Sequence, residues 1–159
     1  MRLPAAEAFM TELTYSYDTE LQWGERRRGL LRSAGLPALA VCTPPEFKGE
    51  AGFWTPEHLF VASAESCLMA TFLGIAENSR LPVASYCSTA TGRLEKLEGA
   101  GLRFADLTVR PIVELEAEAD RERAERVMAK AHKGCLIANS MAATLHVQPE
   151  FLVRMPAAA

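Results

Sequence analysis

The sequence contains no Cys-x-x-Cys spacing, few histidines and little charge imbalance. A net charge of −3 gives no electrostatic reason to expect nucleic acid or an anionic membrane surface as a partner. Four cysteines in 159 residues are too few for the disulfide scaffold of a secreted domain. The opening stretch, Met1-Arg2-Leu3-Pro4-Ala5-Ala6-Glu7, holds no continuous apolar segment, so no secretory signal is expected. The longest apolar run, near 66–76, falls short of the roughly 20 residues needed to cross a bilayer. These absences predict a soluble cytoplasmic protein. Thiols kept reduced there are catalytic, metal-binding or regulatory. The only close pair of metal-ligand type is His132 and Cys135, which is too little for a zinc site.

What is present is enough for a core. Hydrophobic residues make up 49% of the chain, and the length suits a single domain over 1–159. No repeat or long linker divides it. Residues 12–23 alternate, with Leu13, Tyr15, Tyr17, Thr19, Leu21 and Trp23 on one face, which predicts a half-buried strand. Gly24-Glu25 begins a turn into a second strand near 28–33. A third follows at Ala38–Cys42, then an irregular loop marked by Pro44-Pro45, Gly49 and Gly52.

Thr55-Pro56-Glu57 reads as a helix start: a side-chain cap, a proline at the first position and an acid at the positive end. The helix should run to about Asn78. Its second half is apolar on nearly every face, which predicts burial all round and a second subunit to supply the missing cover. Strands are expected near 83–95 and 105–116, with Pro111 marking an edge position or bulge. A helix from Asp120 to about Lys133 carries Ala124, Val127, Met128 and Ala131 on its apolar stripe, and Gly134 can end it. A last strand near Ala143–Gln148 precedes a tail containing Pro and Ala. The order β-β-β-α-β-β-α-β indicates an α+β fold with antiparallel sheets.

Cys67 falls in the most apolar part of the first helix. Cys135 follows the second, in His132-Lys133-Gly134-Cys135. Taken alone, a thiol in such a helix is core packing. A thiol that attacks must be a thiolate; apolar burial raises its pKa and a nearby cation lowers it. Cys67 is too deep in its helix for the helix start to activate it, so a side-chain cation is required. The basic cluster upstream is Arg26-Arg27-Arg28. An arginine beside a buried thiol is costly unless paired, and Glu57 is the partner at hand. One straight helix sets Glu57 and Cys67 about 15 Å apart. The arginine must bridge that gap, or the partner must come from a second subunit. Cys42 and Cys87 lie in strand-like segments and read as buried small hydrophobes, and His58 and His146 as structural. Phe53 and Trp54 either join the core or wall the mouth of an apolar pocket; for Phe60 and Met69 the core is favoured.

Three segments, Thr55-Pro56-Glu57-His58-Leu59-Phe60, Ser66-Cys67 and Lys133-Gly134-Cys135-Leu136-Ile137-Ala138-Asn139-Ser140, together resemble the OsmC/Ohr family of thiol peroxidases. The resemblance covers roughly residues 12–150. It implies an intertwined α+β homodimer with active sites at the interface. Its implied activity is reduction of organic hydroperoxides, and less well of hydrogen peroxide, without metal, flavin or haem. It makes Cys67 the peroxidatic cysteine, Cys135 the resolving cysteine and Glu57 the carboxylate that holds the catalytic arginine. An external dithiol, lipoyl-type or another, would restore both thiols. The chain departs from the family pattern at the arginine. The Ohr branch carries it near the first strand turn, where Arg26 is the first choice and Arg28, on the same face, the next. The OsmC branch carries it in the loop before the helix, and here Glu46-Phe47-Lys48-Gly49 has none. Leu136 stands where many members have proline. The pattern is that of a divergent OsmC-like member. The competing reading is a non-enzymatic module on the same fold that senses redox state or binds an apolar ligand.

Overall fold

The computed structural model describes residues 14–99 and 101–155. The chain divides into two compact units, Met1–Phe53 and Trp54–Ala159.

The first unit is a three-stranded antiparallel sheet in the order β1 (Glu20–Trp23), β2 (Arg28–Arg32), β3 (Leu39–Cys42). The turn between β1 and β2 closes through Gly24 N–H to Arg28 O at 3.0 Å, and Arg26 takes a left-handed φ of 49° there. A turn of 3-10 helix follows at Pro45–Phe47. Gly49 folds back against Thr43 so closely that a Cβ would lie 1.5 Å from the Thr43 carbonyl oxygen.

The first strand is shorter and wetter than its alternation predicts. Residues 14–19 are not strand, and positions 12 and 13 lie outside the described residues. Tyr15, Tyr17, Leu21 and Trp23 are all exposed. Alternation assigns side chains to faces, but burial needs a second layer, and the described residues of this unit form one sheet.

In the second unit, α1 (Pro56–Asn78) starts where the sequence places it. Thr55 Oγ1 accepts from His58 N–H at 3.2 Å, Pro56 occupies the first turn, and Glu57 is the acid in that turn. β4 (Val83–Leu97) pairs antiparallel with β5 (Gly101–Leu115). Helix α2 (Arg121–Gly134) and a single turn, α3 (Leu136–Asn139), then cross back. They deliver β6 (Thr144–Val147) and β7 (Glu150–Val153) parallel to β5. This sheet is therefore mixed rather than antiparallel, because a helical crossover returns the chain in its original direction. Neither α3 nor β7 is expected from sequence.

Pro111 lies in the middle of a central strand, not at an edge or a bulge. The carbonyls of Val109 and Leu115 accept from Gln148 and Arg154 on the β6/β7 side. By alternation the amide position of Pro111 faces the same side. It falls in the gap between the residues paired with β6 (Asp106–Val109) and those paired with β7 (Ile112–Leu115), so no ladder bond is lost.

The core joins three faces: Ala64, Leu68, Phe72 and Ala76 of α1; Leu107, Val109, Val113 and Leu115 of β5; and the predicted stripe of α2, Ala124, Val127, Met128 and Ala131. Each large apolar side chain fully buried there contributes about 1.5–3 kcal/mol. Helix α1 is not buried all round. Only its every-fourth-residue stripe is fully buried, while Met69 and Leu73 are each 37% exposed. One sheet and one helix shield about half of a cylinder, however apolar the remainder. At 23 residues, with a mean hydropathy of 1.7 over an 18-residue window, α1 also has the length and composition to cross a membrane. The helix extends well beyond the 66–76 run, and a core helix meets the same length and composition test. The buried stripe, on a helix packed against β4 and α2, is that of a core helix.

Candidate thiol site

Helix α1 packs against α2 and α3 along the side that carries Cys67 and Thr71. Thr71 Oγ1 donates to the carbonyl of Cys67 at 2.8 Å, and its methyl group lies 3.9 Å from where a Cβ would stand on Gly134. Gly134 is the last residue of α2, and Cys135 follows it directly. Cys135 is fully buried, Cys67 is half-buried, and both are free thiols. The chain after Cys135 is held in a tight turn: Asn139 N–H donates to Cys135 O at 3.0 Å, Asn139 Nδ2 to Lys133 O at 3.1 Å, and Ser140 Oγ to Leu136 O at 2.9 Å. This turn points the amides of Leu136 and Ile137 at the Cys67 sulfur.

The two thiols lie within hydrogen-bonding reach of each other, and their acidities diverge. Desolvation alone would raise Cys67. The Ile137 amide, the Cys135 thiol, the Thr71 hydroxyl and the Leu136 amide together outweigh it, and the Cys67 thiol is more acidic than usual. Desolvation raises Cys135, and although the Ala138 and Ile137 amides oppose it, acceptance by Cys67 and repulsion from its charge keep Cys135 a thiol. The arrangement sets a more acidic thiol beside a less acidic one, a pairing suited to sulfur redox chemistry. The donors that acidify Cys67 are neutral, whereas the sequence calls for a cation. Thr71, four residues on, was the one sequence signal for them; the amides of Leu136 and Ile137 arise from α3, which has no signature.

Glu57 sits in the first turn of the same helix, and its Oε2 is buried with no hydrogen-bond partner among the described residues. A buried carboxylate oxygen left unpaired is costly, so this group is built to receive a donor. Glu57 also borders a cavity of about 440 Å³ along the start of α1, with Trp54, Val61, Glu65, Gly92 and Phe104. Cys67 is not in its lining. Phe60 stacks on Phe104 at 4.7 Å and joins the core margin, while Trp54 is exposed and Met69 lies outside the core.

The arginines belong to the first unit. Arg28 is committed: its Nε donates to Glu50 Oε1 at 3.0 Å, a second nitrogen pairs with Glu50 Oε2, and its guanidinium lies 4.9 Å over the Phe53 ring. Arg27 donates to the Phe47 carbonyl. Arg26, at the β1–β2 turn, makes no ion pair among the described residues.

Other sequence expectations divide. Cys42 is buried, but Cys87 is exposed. Tyr86 packs on Phe72 and Ser88 donates to Glu65, so those side chains face α1 and Cys87 between them faces away. His58 Nδ1 lies 2.9 Å from the capping Thr55 hydroxyl, and His132 Nε2 lies 3.0 Å from Leu145 O.

The OsmC-like protein family profile matches residues 49–150. The chain belongs to the OsmC-like protein family. Curated proteins yield no match. Among solved structures, an OsmC-like protein of unknown function from Vibrio cholerae is 23% identical, with 86% of this chain and 99% of that one covered and a TM-score of 0.79. An organic hydroperoxide resistance protein from Elizabethkingia anophelis is 18% identical, covering 91% and 100% with a TM-score of 0.71. An organic hydroperoxide resistance protein OsmC from Legionella pneumophila is 24% identical, covering 89% and 100% with a TM-score of 0.67. This OsmC-like chain therefore shares their α+β fold.

Proposed function

We propose that this OsmC-like protein, one domain over 1–159, is a thiol-dependent peroxidase that reduces organic hydroperoxides. The observation that carries the reading is the pair of neighbouring free thiols with opposed acidities, Cys67 lowered and Cys135 raised. The Cys67 thiolate attacks the outer oxygen of the O–O bond. The alkoxide leaves with a proton as alcohol, and Cys67 becomes sulfenic acid. The Cys135 sulfur displaces that hydroxyl as water, forming the Cys67–Cys135 disulfide. An external dithiol, lipoyl-type or another, then reduces it by exchange and is itself oxidised to a disulfide. Glu57 is the carboxylate that holds the catalytic arginine. Arg26 is our choice for that arginine, since Arg28 is taken by Glu50. The site completes itself in a cytoplasmic homodimer, for which the uncovered face of α1 at Met69 and Leu73 is the support. Apolar surroundings of Cys67 favour organic peroxides over hydrogen peroxide.

The test is to treat reduced protein with cumene hydroperoxide and count free thiols. Both thiols of the pair should disappear within one turnover, and Cys67→Ser should abolish the loss. Cys135→Ser should stop at sulfenic acid and proceed to sulfinic acid under excess peroxide, read by intact mass. Consumption no faster than in a denatured control would instead favour the redox-sensing or ligand-binding module.

A further inference from the structure

Cys135 stands at a joint. Its backbone is extended, with φ −65° and ψ 106°, so it belongs to neither α2 nor α3, and the residue before it is Gly134. Glycine has the widest choice of backbone conformations, so a chain leaving Gly134 is not aimed by that residue. Nor can α3 aim it alone: its four residues fall far below the roughly 12 at which a helix begins to hold itself together. Yet Cys135 is fully buried, in the cluster against which Cys67 packs. Asn139 fastens the joint on both sides. Its backbone N–H donates to Cys135 O at 3.0 Å, and its side-chain Nδ2 donates to Lys133 O at 3.1 Å. The two accepting carbonyls bracket Gly134. The first bond is that of any helical turn, and most residues would supply it. The second is particular to this side chain. Lys133 O is one of the end carbonyls of α2 that the helix itself leaves without a donor, and the amide six residues on supplies one. His132 Nε2 meets Leu145 O, and Ser140 Oγ donates to Leu136 O, but neither of those contacts spans Gly134.

We propose that Asn139 is a positioning residue for Cys135, whose side-chain amide locks the Gly134–Cys135 joint and so holds the second thiol beside Cys67 before any bond joins them. Without that amide the reduced segment gains backbone conformations. A Cys67–Cys135 disulfide would have to take them away again, at an entropic cost that the clasped segment has already met. Asn139 thus acts on the closing of the disulfide through Cys135, without touching either sulfur. The inference rests on Cys67 and Cys135 being the redox pair, but it concerns the closing of their bond rather than the fate of peroxide.

The experiment equilibrates the full chain with mixtures of reduced and oxidised glutathione, in wild type and in Asn139→Ala, Asn139→Asp and Ser140→Ala. In this exchange the Cys67 thiolate attacks one sulfur of oxidised glutathione and releases a glutathione thiolate. Cys135 then attacks the Cys67 sulfur and releases the second, so two protein thiols are oxidised while one glutathione disulfide becomes two thiols. Peptide mass spectrometry reads the linked Cys67 and Cys135 peptides, apart from glutathione adducts on Cys42 or Cys87. The equilibrium constant for the disulfide should fall about threefold in Asn139→Ala, the low end for one hydrogen bond because Asn139 is exposed. It should fall further in Asn139→Asp, which keeps the shape and sets an acceptor against the Lys133 carbonyl. Because the side chain is exposed, both variants should fold, and circular dichroism checks this; either one suffices. A constant equal to that of wild type overturns the proposal, whatever the melting midpoints. So does an equal fall in Ser140→Ala, which would assign the effect to α3 as a whole. With no peroxide in the assay, failure of the peroxidase reading would appear separately, as a disulfide that forms with glutathione in a chain that consumes no peroxide.

Discussion

Cys67 shows how far a single residue's chemistry departs from its local sequence. An apolar helix implies an inert thiol, and a reactive thiol implies a cation. The structure instead surrounds the sulfur with a threonine hydroxyl and two amides supplied from elsewhere in the fold. Thr71 was legible as a neighbour by helical spacing. The amides were not, because a backbone group carries no sequence signature and the turn that aims them is only four residues long. The same limit applies at Gly92. Nothing in its flanking sequence marks it, yet a Cβ there would meet Val61 Cγ2 at 2.6 Å and Phe104 Cε1 at 2.8 Å. Gly92→Ala should therefore destabilise the protein by about 1–3 kcal/mol as overpacking, read from the midpoint of urea unfolding. An unchanged midpoint would mean that β4 and α1 separate at little cost.

At the scale of elements, what could be read was what is decided locally. The start of α1 is written in Thr55, Pro56 and Glu57, whose effects act within one turn, and the helix begins there. Thr55→Ala should cost about 1 kcal/mol, visible as a lower thermal midpoint; Thr55→Ser should recover most of it. The stripe of α2 was likewise legible, since its four core positions recur at helical spacing. What failed was decided by neighbours. The alternation of residues 12–23 is real, but among the described residues of its unit the sheet has no second layer, and Leu21 and Trp23 are exposed. Pro111 argued for an edge and sits in a central strand, because β6 and β7 together leave a break opposite it. β7 itself hid behind Pro149, although Phe151 is part of the core.

At the scale of the whole chain, composition limited the partners, and the order of strands and helices gave the α+β class. The family came from short segments around Thr55, Cys67 and Cys135 rather than from overall similarity. On the wet side of α1, more apolar surface exists than this chain covers. The two thiols meet across the whole span of β4, β5 and α2. A bond between them would close a loop of about 70 residues, and closing such a loop restricts the unfolded chain by about 4 kcal/mol in the entropic account. Oxidised protein should therefore melt well above reduced protein in a thermal scan, with Cys135→Ser insensitive to oxidant. Polymer statistics then tie the resting oxidation state to how long the molecule survives, since each turn of the cycle would alternate a stapled chain with a loose one.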